Sequence, residues 1–468
     1  GEAACPGGGA LTGDKLCDDE YEGVLCDRCR DGYYFDSYSM TCSACSNAAQ
    51  AAAPLIVVGS IIALCGGVVA YNYIYNYDAI MAYFNEKKEW LFMFMNQGTI
   101  TMVTWQIVSG LGQAHSFRGG RSYPAPFKYF VNVIEVFMLD FFTFFHTECI
   151  ARANYAHRLM VALLTIVALG LVAAAVGVAF TCMWGGTVLR SSSMKGYIVL
   201  IYIVLPMMTT MAVSAFNCER FDYGDYKESF MTVDHSIQCD SEEGNLAQTL
   251  AAIIMVIFPF GVPLALFIQL YVVRRQIKER KTRSGDEDLG HIAFLFRLYH
   301  PKYWYLPIVD LLRRLVLTSG LLMINDSATQ LLVALTVSVS FVVLFREWKP
   351  FYEVETDSLY YVCGWQIVLC VFSLAFMSII EGQGQAHEQS AELQVAVSVG
   401  MILANLVIVR TMVKVMRGVP KEDDQPPKGE EEGEARQQKG GAEAAQDESA
   451  GGGGGGANKS KGRGGARR

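Results

Sequence analysis

Residues 246–283 read LAQTLAAIIMVIFPFGVPLALFIQLYVVRRQIKERKTR, and this stretch decides the fold class. Its first part, residues 246–273, carries no charged side chain. A helix needs about 20 apolar residues to cross the hydrocarbon core of a bilayer, so this part predicts a transmembrane span. Basic residues on short loops face the cytoplasm. The segment after the span is therefore predicted to be cytoplasmic, since it carries Arg274, Arg275, Lys278, Arg280, Lys281 and Arg283.

The segment before this span has the opposite character. Residues 218–245 contain eight acidic and two basic side chains together with Cys218 and Cys239. The charge balance predicts an extracellular loop, and an oxidising compartment favours a disulfide between its two cysteines.

The composition agrees with a membrane protein. The chain has 468 residues, of which 52% are hydrophobic and 18% charged, and its net charge is −8. Soluble domains need more surface charge, and an acidic balance argues against nucleic acid as the main partner. The chain opens on Gly1 without an initiator Met, so we expect a preceding N-terminal part. Residues 418–468, rich in glycine and charge, predict a disordered cytoplasmic tail.

Ten apolar stretches are long enough to be considered as spans. If all ten cross, the cysteine-rich N-terminus falls in the cytoplasm. Omitting the stretch at 127–147 returns it to the outside and leaves the C-terminus inside. The predicted fold is therefore a mainly α, polytopic transmembrane helical bundle at 51–417, with about nine crossings near 54–76, 90–112, 157–184, 194–216, 246–273, 304–324, 328–346, 357–380 and 391–413.

The omitted stretch carries charge at apolar depth. Glu135, Asp140 and His146 lie on it, and charged side chains are expensive in lipid. We predict a re-entrant or interfacial helix at 127–147. Acidic groups on a re-entrant segment suit a cation pathway. The alternative is an amphipathic helix at the interface with its carboxylates in water.

Residues 1–50 form a separate module with six cysteines, too short to be stabilised by a hydrophobic core alone. Disulfides are expected, and a four-cysteine zinc site through the two Cys-x-x-Cys pairs is the alternative. The pattern Gly23-x2-Cys26-x2-Cys29-x2-Gly32-Tyr33-Tyr34 resembles laminin-type epidermal-growth-factor-like modules. The cysteines are Cys5, Cys17, Cys26, Cys29, Cys42 and Cys45.

Several longer stretches together resemble a known family, the C-terminal membrane region of large protist and algal surface proteins with cysteine-rich ectodomains. The later spans are also similar to transient-receptor-potential-like and polycystin-like channel domains, although no selectivity-filter sequence lies between two late spans. The stretches run from Tyr123-Pro124 through Asp140 to Cys149, from Leu205-Pro206 to Phe216-Asn217-Cys218, from Asp234 to Cys239-Asp240, and from Tyr299 through Asp310 to Thr318.

One predicted span carries both signs of charge. Asp310 precedes Arg313 and Arg314 by three and four positions, which places acid and base on one helical face. This predicts an intramembrane charge pair, either a static ion pair or a movable pair that couples the cytoplasmic linker 275–303 to the helix above.

Other polar and helix-breaking residues lie in the predicted spans. Gln97, Thr101, Thr104 and Gln106 form an uncharged polar series that we interpret as hydrogen bonds between packed helices. Proline frees backbone carbonyls, and both Pro206 and the run Pro259-Phe-Gly261-Val-Pro263 predict kinks of this origin.

These features favour a plasma-membrane protein of channel or sensor type. A non-conducting surface receptor or adhesion protein is the first alternative and a transporter the second, although we see no inverted repeat. No enzyme motif occurs, and we expect neither cofactor nor metal. The expected partners are the lipid bilayer, an extracellular protein or glycan and, for a channel, further copies of this chain.

Overall fold

A computed structural model of the chain describes residues 16–23, 26, 28–36, 41–45, 60, 64, 77–116, 123–134, 154–184, 188–222, 227–279, 292–382 and 387–417. Several predictions fall outside these residues. They concern Cys5, the candidate ion-pathway residues Glu135, Asp140 and His146, nearly all of the first predicted span at 54–76, and the tail at 418–468.

The described residues are mainly helical. The helices in chain order are α1 (Tyr77–Ser116), α2 (Ala125–Ile134), α3 (Tyr155–Trp184), α4 (Val188–Ser214), α5 (Glu242–Glu279), the short α6 (Ala293–Phe296), α7 (Leu306–Thr318), α8 (Ser327–Trp348), α9 (Val354–Gly382) and α10 (His387–Arg417).

Six of these helices are long and apolar enough to cross a membrane within the described ranges. They contain segments Tyr155–Ala175, Lys195–Ser214, Glu242–Glu279, Ser327–Trp348, Val354–Ile379 and Glu392–Lys414. Each overlaps a predicted span. Large apolar side chains such as Leu171, Phe260 and Val272 are about 70% exposed on their outer faces. Hydrocarbon solvates such a surface and water does not, so a bilayer is the environment that this bundle requires.

The count of nine crossings stays a prediction. The predicted span at 304–324 contains α7, of 13 residues, followed by a 3-10 turn at Gly320–Met323. A 13-residue helix is about 20 Å long, shorter than the roughly 30 Å hydrocarbon core. The predicted re-entrant stretch begins as α2, whose Phe127, Val131 and Ile134 are buried; its second half lies outside the described part.

Helix α7 lies between two groups of helices, and most of its side chains are buried. Its residues Ile308, Leu311 and Leu315 join a core with α3, α4 and α5. Leu317, two residues after Leu315, joins a second core with α1, α2, α8, α9 and α10. Because α7 touches both groups, a displacement of either group acts on it directly.

Two regions outside the long helices are short antiparallel sheets. Near the N-terminus, β1 (Tyr21–Glu22) pairs with β2 (Arg28–Cys29) and β3 (Tyr33–Asp36) with β4 (Thr41–Ala44). Disulfides join Cys17 to Cys26 and Cys29 to Cys42, and Cys45 is also disulfide-bonded. This is the disulfide-rich region expected from the cysteine content; its relation to epidermal-growth-factor-like modules stays a prediction.

The loop between α4 and α5 forms the second region. Strands β5 (Cys218–Asp222), β6 (Lys227–Met231) and β7 (Asp234–Gln238) make one sheet. The disulfide Cys218–Cys239 closes its two ends. Ser241 then caps α5 by accepting a hydrogen bond from the backbone N–H of Gly244. The sheet is thus fastened at both ends to membrane helices.

Helix α5 is irregular where the sequence predicts it. Residues Val256–Gly261 form a π-helical turn around Pro259. Proline has no N–H for the helical ladder, and the wider turn accommodates this.

Candidate functional site

The centre of the candidate site is a carboxylate on α7 that holds a neighbouring guanidinium. Nε and Nη2 of Arg313 both donate to Oδ1 of Asp310 at 2.9 Å. The hydroxyl of Tyr360 on α9 donates to the same oxygen. Asp310 and Arg313 are only 7% and 5% exposed. The predicted pairing of acid and base on one helical face therefore exists in the structure, and Tyr360 attaches it to a second helix.

Arg314, the next residue, points to the other side of α7 and is 1% exposed. Its Nη1 donates to the carbonyl oxygen of Tyr202 at 3.1 Å, and its Nη2 to that of Ile203 at 3.0 Å. Nη2 also donates to the amide oxygen of Gln106 on α1. One guanidinium thus joins α7 to α4 and to α1.

A proline explains why α4 offers these carbonyl oxygens. In a helix the carbonyl of residue i accepts from the N–H of residue i+4, and for Tyr202 that residue is Pro206, which has none. A buried carbonyl without a donor costs about 1–3 kcal/mol. Arg314 supplies the missing donor from α7. The predicted consequence of Pro206, a freed carbonyl, is therefore present, and a charged group on another helix satisfies it.

The register between α1 and α7 depends on a glycine. A Cβ atom on Gly110 would lie 3.0 Å from Cγ2 and 3.3 Å from Cα of Thr318. Gly110 and Thr318 each follow the contact pair Gln106 and Arg314 by four residues, one helical turn. The close approach of the two backbones at the glycine brings Gln106 within reach of Arg314.

The cluster has an excess of positive charge. Asp310 carries one negative charge, whereas Arg313 and Arg314 carry one positive charge each. Aromatic faces stabilise both cations in part, since the guanidinium carbons of Arg313 and Arg314 lie 5.3 Å and 5.5 Å from the ring centres of Tyr360 and Tyr202. A net charge of +1 inside a helical bundle is costly unless dipoles or a further anion compensate it.

The segment between α6 and α7 pairs with the connection between α8 and α9. Tyr299 forms an isolated β-bridge with Phe351, and the backbone N–H of His300 donates to the carbonyl of Pro350. Phe351 also packs against Tyr360, the partner of Asp310, with ring centres 5.4 Å apart. The segment at 292–303 is therefore connected to the buried charges through Phe351 and Tyr360.

The far end of α7 approaches the sheet after α4. The amide of Asn217, directly before β5, donates to the carbonyl of Leu322 at 3.4 Å. Ser319 lies 3.1 Å from the hydroxyl of Thr210 and donates to the carbonyl of Pro206 at 3.3 Å. The residues directly after α7 thus contact α4 and Asn217, the residue before the sheet at 218–238.

The polar series predicted on α1 has mixed partners. Gln106 bonds to Arg314, and Thr101 donates to the sulfur of Met412 on α10. Thr104 donates within its own helix, to the carbonyl of Ile100. Gln97 is fully buried, and neither polar atom of its amide has a partner. Hydrogen bonding between helices explains Thr101 and Gln106 and leaves Gln97 unexplained.

Further buried side chains on the same group of helices also have polar atoms without partners. Gln97 and Ser109 on α1 are twelve residues apart, about 18 Å along the helix. Buried polar groups are normally satisfied, so each such atom requires an explanation such as water. On α8, α9 and α10 the corresponding residues are Gln330, Ser338, Gln366, Ser373 and Ser398.

The sequence did not point to Tyr360, Tyr202 or the carbonyl of Ile203 as members of the site. Tyrosines are frequent in this chain, with 23 in total, so residue type alone selects none of them. One signal was available for Tyr202, because it lies four residues before a helical proline. The ion-pathway candidates Glu135, Asp140 and His146 lie outside the described residues, so the structure does not test them.

Comparison with known proteins gives one informative match. The chain is similar to a cysteine-repeat protein. Over 201 residues, 40% of its length, it is 24% identical to the cysteine repeat modular protein A of Toxoplasma gondii. The match covers 6% of that much longer protein. The similarity and the disulfide-rich N-terminal region fit a membrane protein with a cysteine-rich ectodomain.

No protein-family model and no solved structure matches the chain.

Proposed function

We propose that this chain is a multi-pass plasma-membrane sensor in which α7 couples an extracellular region to a cytoplasmic segment. The proposal rests on the buried Asp310–Arg313–Arg314 cluster, which ties α7 to α1, α4 and α9 at once. The N-terminus and the sheet at 218–238 are extracellular in this proposal, and the 292–303 segment and C-terminus cytoplasmic. An extracellular protein or glycan is the input.

The coupling works through the proline in α4. The helix lacks one internal hydrogen bond at Pro206, and such sites bend more easily than regular turns. Arg314 now provides that bond from α7. A bend of α4 that follows a movement of the sheet must therefore pull Arg314 or release it. Either event shifts Asp310 and its partner Tyr360. Tyr360 packs against Phe351, which pairs with Tyr299 of the 292–303 segment.

Removing the disulfide of the sheet tests this coupling. In Cys218→Ser/Cys239→Ser we expect the backbone amides at 298–303 and 348–352 to exchange with deuterium at least about threefold faster. The bond closes a loop with a sequence separation of 21, and disulfides of this size contribute about 3 kcal/mol. The measurement is hydrogen–deuterium exchange with mass spectrometry on the chain in lipid nanodiscs.

Two controls accompany this experiment. Cys17→Ser/Cys26→Ser removes a disulfide from the N-terminal region and should leave exchange at 298–303 unchanged. Adding Arg314→Gln to the first variant should abolish the additional response, because the connection to α4 is already broken. Faster exchange confined to residues 214–242 in the first variant would refute the proposed coupling.

Cation conduction is the second candidate function, and the buried polar atoms without partners favour it. Among the described residues most of them lie on α1, α8, α9 and α10, the same group of helices. Polar atoms that find no partner in the protein suit a water-filled path through which an ion passes. A conducting form would require several copies of the chain around one axis.

Current through bilayers that contain the purified chain tests conduction. If the chain conducts, Glu135→Gln/Asp140→Asn should abolish the current or change its ion selectivity, because it removes carboxylates from the path. Gln97→Leu/Gln366→Leu should lower the current about tenfold, because it removes buried polar groups that would hold water in the path. Thr336→Val, at a side chain whose hydroxyl is bonded within α8, is the matched control. Absence of current with correctly inserted wild-type protein would contradict conduction and favour the non-conducting sensor.

A further inference from the structure

The side chains along the second half of α5 change from apolar to aromatic to basic. They follow one another at intervals of three or four residues and so form one stripe on the helix, in the order Leu264, Phe267, Tyr271, Arg274 and Lys278. Arg274 is half-buried, and the other four are exposed. Across one half of a bilayer, hydrocarbon gives way to headgroups and then to water, and aromatic residues are enriched at the headgroup level. The stripe therefore places Tyr271 and Arg274 at the level of the lipid headgroups.

Trp304, which lies just before α7, joins the aromatic part of this stripe. Its ring centre is 6.0 Å from that of Phe267 and 6.2 Å from that of Tyr271. Tyr305 packs edge-on against Trp304, with ring centres 5.9 Å apart. Tryptophan and tyrosine suit a membrane interface, because their rings are apolar and carry one polar group. Four rings from two segments of the chain thus meet at one point of the interface.

The guanidinium of Arg274 is held against this aromatic cluster. Its carbon Cζ lies 3.7 Å from the ring centre of Tyr271, and its Nη1 donates to the carbonyl oxygen of Tyr271 at 2.6 Å. A guanidinium has five N–H donors, and this bond uses one of them. Since Tyr271 lies one helical turn nearer the hydrocarbon, the charge is held at the depth of the ring. Arg274 is therefore positioned to donate to an anionic oxygen at the headgroup level.

Further cations give this face an excess of positive charge. Arg275 and Lys278 on α5 are exposed, and so is Lys302, which lies in a 3-10 turn beside α5. The ion pairs among the described residues include none of these three cations and do not include Arg274. Glu279 supplies the one carboxylate within residues 271–279 of α5. Four positive charges and one negative charge leave this face with a net charge of +3.

We propose that this face binds an anionic membrane lipid, whose phosphate group lies at Arg274 and whose acyl chains lie along the exposed side chains of Leu264 and Ile268. Charge-assisted hydrogen bonds from a guanidinium to a phosphate are about twice as strong as neutral ones. Basic residues beside a membrane attract anionic lipids. A zwitterionic lipid brings the same phosphate but no net charge, so it does not offset the positive face. The binding does not depend on the proposed sensor function, whereas any effect of the lipid on α7 does.

Native mass spectrometry of the full chain, released from nanodiscs with equal amounts of phosphatidylcholine and phosphatidylserine, tests the preference. We expect the lipid retained on the protein to be enriched in phosphatidylserine at least about threefold over the nanodisc. Glycerophosphoserine has the same headgroup without acyl chains, and an excess of it should leave the retained lipid unchanged. Retention of the two lipids in the nanodisc ratio would overturn the proposal. Displacement by glycerophosphoserine would overturn the role of the acyl chains.

Two matched pairs of substitutions locate the site. Arg274→Gln/Lys278→Gln removes two charges beside the aromatic rings and should reduce the enrichment at least about twofold. Arg410→Gln/Lys414→Gln removes the same charge from exposed positions near the end of α10 and should leave the enrichment unchanged, because residues 401–417 contain no aromatic side chain. An equal loss in both pairs would show a general attraction between anionic lipid and positive charge, and no loss in the first pair would exclude Arg274. Either result would overturn the assignment.

Tyr271→Leu tests the contribution of the ring. Leucine keeps an apolar side chain but removes the face on which the guanidinium of Arg274 lies. The enrichment in phosphatidylserine should fall although the net charge of the face is unchanged. An enrichment equal to that of the wild type would contradict the positioning of Arg274 by the aromatic cluster. Because lipid retention is read directly, it can be observed even if the exchange experiment on coupling fails.

Discussion

Arg314→Met is expected to destabilise the folded bundle by about 3 kcal/mol. Methionine resembles the unbranched stem of arginine but lacks the guanidinium. The substitution therefore removes the donors to the carbonyls of Tyr202 and Ile203 and to the amide oxygen of Gln106. Each buried acceptor left without a donor costs about 1–3 kcal/mol. The free energy of unfolding, measured by chemical denaturation of the chain in detergent micelles and followed by circular dichroism, checks this value.

A second substitution shows whether Pro206 is the reason for this cost. Pro206→Ala restores an N–H that can donate to the carbonyl of Tyr202 within α4. In that background, Arg314→Met should cost at least about 1 kcal/mol less, a coupling in the range found for residues that share a hydrogen-bond network. Pro259→Ala, in a different helix, is the control background and should leave the cost unchanged. Equal costs in all three backgrounds would contradict the explanation.

Asp310→Ala is expected to lower the free energy of unfolding by about 3–5 kcal/mol. It leaves Arg313 and Arg314 buried without a carboxylate and raises the local net charge from +1 to +2. Removing one partner of a buried ion pair is costly because the other charge stays desolvated. Thermal unfolding, followed by tryptophan fluorescence, measures the loss of stability. If the variant does not unfold reversibly, the yield of monodisperse protein is compared with that of the wild type instead.

The double variant Asp310→Leu/Arg313→Leu separates charge from packing. It returns the local net charge to +1 and fills the site with apolar atoms, so most of the stability should return. Glu355→Ala, at an exposed residue of α9, is the control and should stay within about 0.5 kcal/mol of the wild type. Failure of the double variant to recover would show that the hydrogen bond to Tyr360, rather than the charge balance, dominates.

Hydropathy and periodicity were sufficient to predict the long helices. The predicted spans at 157–184, 194–216, 328–346, 357–380 and 391–413 coincide with helices within a few residues. The reason is physical: inside a bilayer every backbone group must be satisfied within the segment, so a long apolar run has few alternatives to a helix. The number of crossings does not follow from hydropathy alone, because α7 is a short apolar helix that is buried among others.

The candidate site was predictable only in part. The spacing of Asp310, Arg313 and Arg314 predicts a pair on one face, since acid and base three or four residues apart in a helix are neighbours. The same spacing leaves open which arginine pairs with the acid. In the structure Arg313 takes that position, and Arg314 points to the opposite side toward α4.

By itself, the sequence determined that this chain is a helical membrane protein with a disulfide-rich N-terminal region, because composition, apolar length and cysteine spacing are local properties. Only the tertiary structure decided the partners of the buried charges. The contact of Arg314 with the carbonyl of Tyr202 joins residues 112 apart, and that of Asp310 with Tyr360 joins residues 50 apart. Such pairings depend on how helices pack, and the close approach at Gly110 sets that packing for α1 and α7.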